Sequence, residues 1–96
     1  MTLYEQLERE IRMAHTGLRS ALAERAHAIK MHARRGSIAE IHRRLYFLEG
    51  LIAAWAIMQN QVVVTRPFML DELTADYIED HLHIDLPALE EEVRQA

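Results

Sequence analysis

Between Leu45 and Met58 the chain reads LYFLEGLIAAWAIM, which holds its single Trp, Phe47, Tyr46 and a run of large aliphatics, with Glu49 the only charge. A segment of this kind has to be covered. It is shorter than the roughly 20 residues that cross a bilayer at a rise of about 1.5 Å each, so the cover is expected to be protein, and no membrane partner is predicted.

The segment reads as the buried half of a helix. Upstream, Ser37-Ile38-Ala39-Glu40 spells a capping box, in which the serine hydroxyl accepts a helix N-terminal N–H and the glutamate reaches back to the serine amide. A second helix therefore spans about residues 38–59. Ile38, Ile41, Leu45, Leu48, Ile52 and Trp55 recur at spacings of three and four, one apolar stripe of a 3.6-period helix. Phe47, Leu51, Ala54 and Met58 make a further stripe, so the C-terminal half needs neighbours on two sides. Gly50, Ala53 and Ala54 are small enough for another backbone to come close.

Thr2 and Glu5 spell another capping box and start the first helix near Leu3. Its core positions are Leu7, Ile11, Leu18, Leu22, Ile29 and Ala33, with eleven-residue spacings that suit a nearly straight helix. The pattern passes through Gly17 in phase, which predicts one helix over about residues 3–35, closed by Gly36. The immediate restart at Ser37 makes the two helices antiparallel, so residues 1–60 form a hairpin. Its first arm would be roughly 50 Å long, whereas a compact domain of this size has a radius of gyration of about 13 Å. Two hairpins packed about a twofold axis solve that problem. A homodimeric bundle is therefore expected, with Phe47, Leu48, Leu51, Ile52, Trp55 and Met58 packing the dimer or a partner. The alternative is a monomer whose C-terminal region folds back over the second helix.

Residues 61–70 read as an extended connector. Val62, Val63, Val64 and Thr65 are β-branched, and Arg66 precedes Pro67; Phe68, Met69 and Leu70 are expected to anchor the connector on the bundle. Residues 71–96 read as short acidic helices packed on the hairpin. Asp71 or Thr74 caps one carrying Leu73, Tyr77, Ile78 and Leu82; Asp85 and Pro87 open another that buries Leu86, Leu89 and Val93 and points Glu90, Glu91 and Glu92 outward. The fold class is all-α.

The absence of Cys excludes a disulfide scaffold and thiolate metal sites and suits a reducing cytoplasm. The acidic, amphipathic N-terminus lacks the basic head and apolar run of a signal peptide. Charge is unevenly placed: residues 1–24, 25–44 and 45–96 carry −1, +5 and −8. The hairpin gathers Lys30, Arg34, Arg35, Arg43 and Arg44 near one tip, a patch suited to nucleic-acid phosphates. Asp71, Glu72, Asp76, Glu79, Asp80, Glu90, Glu91 and Glu92 form an acidic surface suited to a basic partner. The two regions could also attract each other.

Glu24 and His27 have the Glu-x-x-His spacing of carboxylate-bridged bundles, and Asp80, His81, His83 and Asp85 cluster in sequence. Neither completes a ligand set, and no cofactor is expected. No Ser/His/Asp or glycine-rich phosphate signature is present. Leu22-Ala23-Glu24-Arg25 with Lys30 resembles the first helix of the all-helical chorismate mutases over a short stretch, but that family's later lysine and paired Arg-Glu find no counterparts. The expectation is a non-enzymatic regulatory or adaptor protein acting by protein contact, with inhibition of a basic or nucleic-acid-binding partner as one such role. A helical dimer that binds nucleic acid through the basic tip is the alternative.

Overall fold

Thr2 opens the first helix: its hydroxyl accepts the Glu5 amide N–H at 3.1 Å and donates to the Glu5 carboxylate at 3.2 Å. The computed structural model describes residues 1–32, 38–58 and 72–96, together with the side chains of all but 72–74 among them. These residues form α1 (Leu3–Lys30), α2 (Ile38–Met58), α3 (Glu72–Leu82) and α4 (Leu86–Gln95). No strand occurs among them, and the fold is all-α.

Helix α1 runs unbroken through Gly17, as its periodicity requires, but stops at Lys30 rather than near Arg35. His32 adopts a left-handed conformation (φ 54°), with its amide N–H donating to the Ile29 carbonyl at 3.2 Å. A left-handed residue just past the last turn ends a helix by satisfying its free carbonyls. Here a histidine takes that place; the expected closure by Gly36, with Ala33 and Ser37, lies outside the described residues. The local reason for the early stop is a lack of cover, since Ile29 is 40% exposed and Met31 is 61% exposed. Helical propagation depends on packing an apolar face, and that face runs out.

Helices α1 and α2 pack against each other as an antiparallel hairpin. Ile11, Leu18 and Leu22 of α1 meet Ile41, Leu45, Leu48, Ile52 and Trp55 of α2 in one buried core. The outermost residue of the α2 stripe, Ile38, stays 43% exposed.

His83 repeats the device of His32: it is left-handed (φ 58°), and its amide donates to the Glu79 carbonyl at 3.0 Å, closing α3. Asp85 then caps α4 by accepting the Ala88 amide at 3.2 Å, with Pro87 in the first turn. The fixed φ and missing N–H of proline suit that turn. Ile78, Ile84, Leu86, Leu89 and Val93 are all buried against the hairpin core. The C-terminal helices thus fold back over α2, and the radius of gyration is 14.2 Å. This fold-back is the alternative to a dimer as the cover of α2. The notional connector at 61–70, and Asp71 as a cap, lie outside the described residues.

Candidate interaction surface

Trp55 is completely buried, and its cover comes from within the chain. Its ring lies 6.4 Å from Tyr4 on α1 and 5.5 Å from Tyr77 and 6.3 Å from His81 on α3. The indole N–H donates to the Tyr4 hydroxyl at 3.0 Å, with the Glu8 carboxylate at 3.4 Å. Burial raises the Tyr4 pKa above its ordinary value, and the Trp55 hydrogen bond opposes that rise. His81 stacks on Tyr77 at 4.0 Å, and its Nδ1 lies 2.9 Å from the Tyr77 carbonyl oxygen.

Of the six residues expected to pack a dimer or partner, Leu48, Ile52 and Trp55 are therefore committed to the chain's own core. Phe47 and Met58 are 60% and 44% exposed, and Leu51 is half-buried. Ala54 is also exposed, so Phe47, Leu51, Ala54 and Met58 line the outside of α2 at helical spacing. Tyr46 and Ile57, at 54% and 56% exposure, widen that face. From Leu45 to Met58 the one charge is Glu49, and it is turned inward.

Glu49 was not singled out from the sequence as a site residue. Its side chain is only 5% exposed. It sits between α2 and α4 opposite Glu90, and burial, together with a hydrogen bond and repulsion from Glu90, pushes its pKa up to about 8. Glu49 therefore holds its proton well above the usual carboxylate range. The pattern carried the signal: Leu45, Glu49, Ile52 and Ala56 are spaced by four, three and four, and all four are buried. Arg25 was missed likewise: it follows Leu18 and Leu22 on the core face of α1, is buried, and borders a cleft of about 230 Å³ with Ile29 and Glu92.

The expected acidic surface divides into separate parts. Glu90 faces Glu49 rather than outward, because it falls beside the buried Leu89 and Val93 where α4 meets α2. Glu91 binds Arg94 at 2.6 Å and Gln95 at 3.0 Å on its own helix, which holds its carboxyl below the usual range. Glu92 reaches across to Arg19 of α1 at 2.5 Å. Asp76, Glu79 and Asp80 remain exposed on α3. Asp71 and the side chain of Glu72 lie outside the described residues.

Among the described basic residues, Lys30 stands apart from Arg43 and Arg44 along the hairpin. Arg44 lies over Gly17, where an added methyl would sit 3.0 Å from Nη1. Gly17 is thirteen positions before Lys30, so roughly 20 Å of α1 separates Arg44 from Lys30 at 1.5 Å per residue. The hairpin register causes this separation, since α1 projects beyond the start of α2. Arg43 and Arg44 also pair with Glu40 at 3.3 and 3.2 Å. Arg34 and Arg35 lie outside the described residues.

Glu24 and His27 are exposed on α1, and among the described residues no group of three or more His, Asp or Glu is placed to hold a metal ion. No helix among the described residues is long and apolar enough to cross a membrane. Compared with known proteins, the chain matches no family model, no curated protein and no solved structure.

Proposed function

We propose that this chain is a non-enzymatic interaction module that pairs with a second copy through the outside of α2 and serves a regulatory or adaptor role in the cytoplasm. The observation that carries the reading is the exposure of Tyr46, Phe47, Ala54, Ile57 and Met58 on one helix with no outward charge among them. Apolar surface gathered in one patch favours association, at about 25 cal/mol per Å² removed from water. The face is self-complementary in a simple way: Gly50 and Ala54 let two copies of α2 approach closely, while Phe47 and Met58 fill the flanks. The lack of Cys suits a reducing compartment.

Self-pairing alone does not regulate anything, and the excess of acid after residue 45 favours a basic protein as the further partner. The nucleic-acid alternative has less support, since the register separates Lys30 from Arg43 and Arg44.

Sedimentation equilibrium tests self-pairing. The wild type is expected at twice its 11.2 kDa mass. A Phe47→Ser, Met58→Ser double variant is expected to sediment as a folded monomer. A wild type that stays monomeric at high concentration overturns the reading.

A further inference from the structure

A buried acid that faces another acid needs either a proton or a cation between them. Glu49 is more than nine-tenths buried, and among the described residues neither a cation nor an N–H donor reaches its carboxyl. It lines a cleft of about 220 Å³ between α2 and α4, together with Glu90. The walls add Leu45 and Val93, which are apolar, and Tyr46, which is half exposed at the rim. Two further charged or titratable groups border the cleft, His42 and Arg94. The Arg94 guanidinium is held by Glu91 at 2.6 Å and does not fill the gap.

We propose that the α2–α4 cleft accepts an arginine side chain from a basic protein partner, with the guanidinium bridging Glu49 and Glu90. A planar guanidinium presents several N–H donors and can serve two carboxylates at once. The methylene stem would lie on Leu45 and Val93, and the Tyr46 ring would flank the cation at the mouth. The occupant is an arginine rather than a metal ion because a hard cation takes more oxygen ligands than this pair supplies. No third acid or imidazole among the described residues is grouped with Glu49 and Glu90 for that purpose.

The inference rests on the interaction-module reading only in assigning the arginine to a protein. It uses the edge of α2 that faces α4, whereas self-pairing uses the Phe47 to Met58 stripe. Binding has a proton signature: the guanidinium displaces to solvent the proton that Glu49 holds. Affinity should therefore rise as pH approaches about 8 from below.

The test is an NMR titration of the full chain with N-acetyl-arginine N-methylamide, and with the citrulline counterpart as an uncharged match. The arginine probe is expected to shift the amide signals of Glu49, Glu90 and Val93 saturably, and the citrulline probe is not. The dissociation constant should tighten by roughly tenfold per pH unit below the Glu49 pKa. Glu49→Gln should abolish the response; should that variant fail to fold, Glu90→Gln serves the same purpose. Phe47→Ser should leave the response unchanged even though it breaks self-pairing, so the two ideas fail separately. Equal shifts from both probes, no response to either, an undiminished response in the glutamine variants, or the same shifts with calcium chloride alone would each overturn the proposal.

Discussion

The indole N–H of Trp55 donates to the hydroxyl of Tyr4 at 3.0 Å, joining the last turn of α2 to the first turn of α1. Fifty-one positions separate the two residues, so this contact sets the register of the hairpin as well as closing its core. The same register places Arg44 over Gly17 and leaves the end of α1 projecting.

Tyr4→Phe removes the acceptor and leaves the indole only the longer contact to Glu8. A loss of about 0.5–1.5 kcal/mol is expected, read from the urea midpoint. Trp55→Ala, which empties the centre of the core, should cost about 3–5 kcal/mol and unfold a domain of this size at moderate temperature.

The proton held by Glu49 makes stability depend on pH in a defined direction. Its folded pKa of about 8 lies above the ordinary 4.5, so the folded chain binds the proton more tightly than the unfolded chain. The contribution is complete below about 4.5 and is lost as pH rises to about 8. Urea unfolding from mildly acidic to mildly alkaline pH should show this decline. Glu49→Gln, which keeps the shape without the charge, should flatten the curve and gain on the order of 2 kcal/mol at the alkaline end. A wild type equally stable across the range would contradict the assignment.

Gly17 is an interior helix glycine whose close neighbour among the described residues is the far end of Arg44. That guanidinium is half exposed and can shift by a few tenths of an ångström while keeping Glu40. Gly17→Ala is therefore expected to stabilise the protein by about 0.5–1 kcal/mol, seen as a rise in Tm.

The Arg19–Glu92 bridge joins α1 to α4, but both side chains are about half exposed. Arg19→Ala should cost no more than about 1 kcal/mol, and the difference from wild type should shrink in high salt.

The helical pattern was largely legible. Thr2 with Glu5, the three-and-four spacing of Ile41 to Trp55, and Asp85 with Pro87 each predicted a local structure that forms. The end of α1 was less legible, because the left-handed turn at His32 is a local backbone choice that an apolar pattern continuing to Ala33 conceals. The candidate site was legible only in part. Phe47 and Met58 are exposed, but Leu48, Ile52 and Trp55 belong to the inner side of the same helix, and periodicity alone does not say which stripe the chain covers itself. Glu90, Glu91 and Glu92 looked like one outward charged run. On a helix, consecutive residues point about 100° apart, so they face Glu49, Arg94 and Arg19 in turn.

The claim on which the functional account depends is that the outside of α2 is where two copies meet. Because the native chain has no Cys, single-cysteine variants report on that face without background. Ala54→Cys is expected to form a disulfide-linked dimer readily under mild oxidation, while Glu24→Cys, also exposed but on α1, stays monomeric. Equal cross-linking at both positions, or none at Ala54→Cys, would contradict the account.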